Sequence, residues 1–338
     1  MGKRTRRVDR AELGVRRLLA ALPGPDELAT AEVELVATEG PSAGSRPASE
    51  ATDGDGRRYF FKMAPPEHVA AEIFAFEVRA LAARPTVPTA ARRLALAGGA
   101  PVAGMLQPLV EHAGIRLPTD PTKWSELQRE VLLREHPWEW LLGNLDTHID
   151  QYVLVGPDRV PLNIDWDHAL EDLEIDVLDR FTKRSFAIAP IRNALYDAFA
   201  RGDIELNLRG LRREVRRIAR LDEQPLHAAL HDWAVRAGVT DDRASLVAAR
   251  FFARKRAIGT TFQALLTQLL HERAARRAPG SLPMRARARI AVNDAWQRLV
   301  IDSLHDKVVI PWLRLYRRAL AVRAALGLAP DTERRRRP

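Results

Sequence analysis

Asp146, His148, Gln151 and Asp165 have the residue types and the spacing that phosphoryl transfer uses. Residues 141–170 read LLGNLDTHIDQYVLVGPDRVPLNIDWDHAL. An apolar run closes on Gly143-Asn144, and Asp146, His148, Asp150 and Gln151 then crowd into one loop. A predicted hairpin follows, Gln151 to Val155 and Val160 to Ile164 around the turn Gly156-Pro157-Asp158-Arg159, and it delivers Asp165 and Asp167. In phosphoryl transfer one Asp orients the attacking hydroxyl, while an amide and a second Asp hold Mg²⁺ on the nucleotide phosphates. Asp146 is the candidate for the first role. Gln151 and Asp165 are candidates for the second, because Mg²⁺ takes hard oxygen donors and leaves room for phosphate oxygens. Asp167 is either a further cation ligand or a turn-capping Asp. His148 either braces the loop or contributes directly to the phosphate chemistry, and bracing is preferred. His168 has no assigned role.

Such a loop needs a partner that grips the nucleotide. Lys62 ends the strand-like run Arg57-Arg58-Tyr59-Phe60-Phe61-Lys62 and shares a face with Arg58 and Phe60. It can reach phosphates if that face is inward; the alternative is a surface lysine on an edge strand. Glu72 lies ten residues on, in a helix predicted over Glu67–Ala83 by the apolar spacing of Ala71, Phe74, Ala75, Val78, Leu81 and Ala82. A strand Lys held by a helix Glu is the arrangement of protein kinases. Glu77 competes, but Glu72 lies just ahead of the apolar face and is preferred. The loop Gly40-Pro41-Ser42-Ala43-Gly44-Ser45 follows a predicted strand at 31–38, and Ser42 and Ser45 could set hydroxyls and backbone N–H groups against phosphates. It matches neither a Walker A motif nor GxGxxG, and a plain surface loop is the alternative.

The rest of the chain divides in two. Before residue 113 lie a basic helix predicted over 9–22, closed by Pro23-Gly24-Pro25, and then short strands with one helix: 31–38, Arg57–Met63 after the turn Asp53-Gly54-Asp55-Gly56, 90–96 and 104–109. From Lys123 on nearly everything apart from the hairpin reads as helix: 124–142, with Pro137 opening a second segment, then 190–201, 206–221, 224–237, 241–277 and 284–326. The 338 residues are 46% hydrophobic and 29% charged, the range of a globular protein with real cores. With no cysteine, disulfides, zinc–thiolate sites and thiol nucleophiles are excluded. No apolar run approaches the ~18 residues of a membrane span, and the N-terminus lacks the uninterrupted apolar core of a signal peptide. Arg6 stands where myristoylation needs Ser or Thr. A cytoplasmic protein is expected, and the heavy use of Ala, Arg and Leu suggests a bacterial one. The net charge is +9, but its basic runs at Lys3–Arg17 and Arg334–Arg337 come with no base-reading module, so nucleic acid is not an expected partner.

LLGNLDTHIDQYVLV and NIDWDHAL together resemble the catalytic and metal-binding loops of the phosphoinositide 3-/4-kinase-like superfamily, which includes the bacterial HipA-like kinases. The pattern is roughly G-N-x-D-R-H-x-x-N, then I-D after a hairpin; Gly143, Asn144, Asp146, His148 and Ile164-Asp165 match it. Upstream, Lys62, Glu72, Val87-Pro88 and Gly104-Met105-Leu106-Gln107-Pro108 also fit, the last looking like the strand into an adenine-binding hinge and making Gln107 a candidate cofactor contact. Thr147 replaces a common Arg, and Gln151 replaces Asn, keeping the carbonyl donor but adding a methylene.

The resemblance covers about residues 30–185 and implies an α+β bilobal protein-kinase-like fold with a small β-rich N-lobe and a large, mostly helical C-lobe. The expected division is a basic helical extension at 1–28, an N-lobe at 29–112, a C-lobe catalytic core at 113–190, a helical extension at 191–327 and a disordered Arg-rich tail at 328–338. The implied activity is an ATP- and Mg²⁺-dependent (or Mn²⁺-dependent) atypical kinase acting on a hydroxyl of an unidentified protein or small molecule. A pseudokinase or nucleotide-binding interaction protein is the first alternative, on the strength of Gln151. A metal-dependent phosphohydrolase is the second. It would use His148, Asp150, Asp165, Asp167 and His168 as a two-metal site, but no upstream D-x-H pair precedes the loop and Lys62 and Glu72 are left without a purpose.

Overall fold

The computed structural model describes residues 3–36, 48–95, 100–112, 117–144, 147–171, 173 and 191–277. Asp146, the loop with Ser42 and Ser45, the helix expected over 284–326 and the Arg-rich tail lie outside the described residues.

The chain folds as α+β, a small sheet-containing lobe followed by a larger helical one. Among the described residues the sheet has five antiparallel strands, β1 (Val33–Val36), β2 (Ala48–Asp53), β3 (Arg58–Met63), β4 (Ala90–Ala95) and β5 (Pro101–Pro108), in the order β1-β2-β3-β5-β4. The alternation in Arg58-Tyr59-Phe60-Phe61-Lys62 sends Tyr59 and Phe61 to one face. There they pack with Ala51, Leu94 and Leu106 beneath Leu28. Each large apolar side chain buried in this way contributes roughly 1.5–3 kcal/mol. Lys62 goes to the opposite face, paired with Met105 of β5. β3 lies between β2 and β5, so Lys62 sits on an inner strand and not on an edge.

The helix α3 (Pro66–Leu81) lies over that second face, with Val69 and Ile73 against Met105. Tight packing also fixes Gly104 of β5: a Cβ there would meet the Lys62 backbone oxygen at 2.4 Å and the Phe61 ring at 2.7 Å. Gly104→Ala is therefore expected to push β3 and β5 apart and to cost about 1–3 kcal/mol. Urea unfolding would measure it, and an unchanged midpoint would mean that the strands accommodate the methyl group freely.

Among the described residues the helical lobe consists of α4 (Glu126–Leu142), α5 (Ile191–Arg201), α6 (Leu208–Ala219), α7 (Glu223–Ala237) and α8 (Asp241–Arg277), with the hairpin β6 (Tyr152–Val155) and β7 (Val160–Asn163) beside α4. Ser125 and Gln128 form a capping box at the start of α4, and Gly143, at φ 67°, ends it in the left-handed conformation that glycine adopts without penalty. Pro137 does not open a second segment as the sequence suggests. α4 runs through it, the missing N–H being tolerated where Leu133, Trp138 and Trp140 are all buried in the core.

Three further elements depart from the sequence reading. α1 begins at Lys3 rather than residue 9 and buries Val8, Ala11, Val15 and Leu19 against Leu127, Val131, Val155, Val160 and Leu162. The six-residue helix α2 (Pro25–Thr30) follows the Pro/Gly cluster directly. β2, with the weak strand sequence ASEATD, forms because β1 and β3 pair with it on both sides. Among the described residues no helix is long and apolar enough to cross a membrane.

Candidate functional site

Lys62 points from β3 at the end of the β6–β7 hairpin. Its Nζ lies 2.7 Å from Asp165 Oδ1 and 2.8 Å from Asp167 Oδ2. Burial pulls the ammonium pKa down, but the Asp165, Asp167 and Glu72 carboxylates outweigh it and raise it above the ordinary lysine value. Asp165 is itself raised by burial and by Asp167, against the pull of Lys62.

The backbone that carries the two aspartates is held at four points. Asn163 Oδ1 accepts from the Asp165 N–H at 2.9 Å, and Asn144 Nδ2 donates to the Asp165 carbonyl at 3.3 Å. The Trp166 N–H donates to Glu72 Oε2 at 2.6 Å, and His68 Nδ1 donates to the Asp167 carbonyl at 2.9 Å. Glu72 and His68 stand one turn apart on α3, so this helix grips the segment 165–167 directly. The Trp166 ring is buried, with the Arg79 guanidinium of α3 stacked 4.4 Å from its centroid.

The sequence suggests a direct Lys62–Glu72 ion pair. Here Glu72 accepts from Trp166 and, at 3.1 Å, from Gln107 Nε2, and acts on Lys62 through its field. Burial and the Asp165 carboxylate push the Glu72 carboxyl up to about 8 against the attraction of Lys62. Gln107 also donates to Thr89 Oγ1 at 2.9 Å, so its amide nitrogen braces Glu72 inside the sheet. Glu77 pairs instead with Arg236 of α7 at 2.9 Å.

His148 Nδ1 accepts from the Asp150 N–H at 3.3 Å and caps the short 3₁₀ turn Ile149–Gln151. Gln151 is buried, its backbone carbonyl accepts from Ile164, and its side-chain Oε1 has no hydrogen-bond partner among the described residues. Asn144 Oδ1 is likewise buried without one. Buried carbonyl oxygens without donors, like carboxylates, have the donor chemistry that a hard divalent cation takes. Gln151, Asp165 and Asp167 each offer an oxygen of that kind.

No protein-family model matches the chain, and no curated protein matches it. Among solved structures it is similar to the Helicobacter pylori proinflammatory kinase CtkA, at 11% identity and a TM-score of 0.45, over 74% of this chain and 99% of that one. It is also similar to an aminoglycoside phosphotransferase from Alicyclobacillus acidocaldarius subsp. acidocaldarius DSM 446, at 13% identity and a TM-score of 0.26, over 69% of this chain and 93% of that one.

A second group lies beneath the loop. Arg192 Nη1 of α5 donates to Glu139 Oε2 at 2.8 Å and to Thr147 Oγ1 at 2.9 Å, and Tyr152 Oη donates to Glu139 Oε1 at 2.6 Å. Burial raises the Glu139 carboxyl pKa, and Arg192 opposes it. Thr147 is thus tied to α4 and α5, and both it and Asn144 are buried. Sequence reasoning missed Glu139 and Arg192. The available signal was a charge inside the apolar run Trp138-Glu139-Trp140, which must find a buried partner.

Proposed function

We propose that this protein is an ATP- and Mg²⁺-dependent phosphotransferase, an atypical kinase related to the phosphoinositide-kinase-like and HipA-like group, that phosphorylates a hydroxyl of a protein or small molecule. The observation that carries this reading is Lys62 held between Asp165 and Asp167, with Glu72 fixed behind them on α3. A lysine so positioned suits the α/β-phosphates of a nucleotide, and Gln151, Asp165 and Asp167 would hold the divalent ion. That ion, when bound, neutralises charge that builds on the phosphate oxygens. Asp146 orients the acceptor hydroxyl and takes its proton as the hydroxyl oxygen bonds to the γ-phosphorus and the bond to the β-phosphate oxygen breaks, releasing ADP. His148 keeps the loop in register, and Ser42, Ser45 and Gln107 belong to the nucleotide side. The protein would work in the cytoplasm.

A nucleotide-binding protein without turnover is the second reading. Gln151 favours it, since its longer side chain must fold back to reach the position that an Asn would occupy.

Incubation with γ-labelled ATP, with and without Mg²⁺ or Mn²⁺, tests both readings, alongside Asp165→Asn and with label transfer and nucleotide binding followed together. Metal-dependent transfer by the wild type that is lost in the variant is the expected result. Binding without transfer to any protein or small-molecule acceptor would favour the second reading, and absence of nucleotide binding would overturn both.

A further inference from the structure

His68, His168 and Glu171 form a second cluster next to the lysine-held aspartates, and the chemistry proposed above does not use it. Each offers one ligand atom, and these atoms lie within 4.8 Å of one another. Glu171 Oε2 is 2.7 Å from His168 Nδ1, and Glu171 Oε1 is 3.6 Å from His68 Nδ1. The two imidazoles meet edge to face with centroids 5.2 Å apart. His68 comes from the first turns of α3, about a hundred residues away from the other two, so the fold itself assembles the cluster.

We propose that His68, His168 and Glu171 bind a transition-metal dication of the Zn²⁺ class, which clasps the N-terminal turn of α3 to the segment that follows Asp167. Two imidazoles and one carboxylate are the ligand set of an open tetrahedral zinc site, with water in the fourth position. They are a poor set for Mg²⁺, which prefers oxygen alone. Bonds of about 2.0–2.2 Å place tetrahedral ligand atoms roughly 3.3–3.6 Å apart. The His168 and Glu171 side chains are 29% and 43% exposed, which lets them adjust toward that spacing and leaves an entry path from solvent. The outer shell is in place as well. The Asp167 carbonyl orients the His68 ring, and Asp167 Oδ1 lies 3.5 Å from His168 Nε2.

The site differs from the Lys62 carboxylates in both residues and chemistry, so it stands or falls separately from the phosphotransferase reading. The test is calorimetric titration of tag-free, chelator-treated full-length protein with Zn²⁺ in excess Mg²⁺. The proteins compared are the wild type, Asp165→Asn, His168→Ala, Glu171→Gln and His68→Ala, with circular dichroism and the zinc-free melting temperature confirming that each is folded. One Zn²⁺ equivalent is expected in the wild type and in Asp165→Asn. Affinity should fall at least ~10–100-fold in each ligand variant, and Zn²⁺ should raise the melting temperature of the wild type but not of His168→Ala. If His68→Ala fails to fold, the solvent-exposed His168 and Glu171 variants decide alone. No saturable binding by the wild type would mean an ordinary ionic cluster and overturn the proposal. So would an equivalent retained in His168→Ala and Glu171→Gln, or one lost in Asp165→Asn.

Discussion

Lys62→Met is expected to lower metal-dependent phosphoryl transfer by about 10²–10³, the effect of deleting one preorganised electrostatic stabiliser, or roughly 3–4 kcal/mol at about 1.4 kcal/mol per tenfold. The ammonium is the cation that balances Asp165 and Asp167 at 2.7 and 2.8 Å. Without it the two carboxylates repel each other across a partly buried site, and a nucleotide bound as proposed would lose a point charge for its phosphates. Lys62→Arg should not restore activity. A planar guanidinium is larger and directs its donors in a fixed fork, a poor replacement for a compact ammonium that meets two separate carboxylates at 2.7 and 2.8 Å. The split between variants is informative. Lys62→Met should still respond to added metal, because Asp165, Asp167 and Gln151 remain. Asp165→Asn should lose that response. Steady-state kinetics over a metal titration would measure both, and transfer by Lys62→Met at the wild-type rate would remove Lys62 from the mechanism.

Local pattern carried part of this site and could not carry the rest. The alternation of Tyr59, Phe60, Phe61 and Lys62 is readable because side chains on a strand change face every residue. The Gly-Asn-x-Asp loop followed by a hairpin and Ile164-Asp165 is readable because turn residues and apolar runs mark the hairpin ends. What Lys62 touches is different in kind. Its partners lie more than a hundred residues away and are chosen by how the sheet register and α3 meet the hairpin, which no window of sequence contains. Glu72 shows the same limit. It sits on the expected helix, yet its hydrogen bonds go to the Trp166 N–H and to Gln107. β2 was illegible for a further reason: ASEATD has little strand propensity of its own and takes its conformation from its neighbours. His68 and His168 carry no signal singly, and only folding brings them together.

Glu135→Ala is expected to destabilise the fold by about 3–5 kcal/mol, the cost of breaking a buried ion pair from one side. Glu135 sits in the middle of α4 and serves two arginines at once. Its Oε2 lies 2.7 Å from Arg79 Nη1, and its Oε1 accepts from Arg84 Nη2. Both guanidinium groups are about 1% exposed, so neither can turn to water when the carboxylate goes. Arg84 would keep Glu12 of α1 at 2.8 Å, whereas Arg79 would keep the Pro85 carbonyl and the Trp166 ring but, among the described residues, no carboxylate. Arg79 stacks on Trp166, so the loss should also loosen the backbone between Asp165 and Asp167. The sign of the pH dependence follows from the same contacts. Burial alone would raise the Glu135 carboxyl, but Arg79 and Arg84 outweigh it and hold its pKa below the ordinary value of 4.5. The folded state therefore binds this proton less readily than the unfolded chain. The stabilisation is complete above the unfolded value and is lost as pH falls through the folded one. Urea unfolding at pH 7 and at successively lower pH would measure both effects. Wild type should lose its advantage over Glu135→Leu, a variant without the titrating group, only on the acid side of about 4.5. Equal stability of wild type and Glu135→Ala at pH 7 would show that α1, α3 and α4 are held together by their apolar contacts alone.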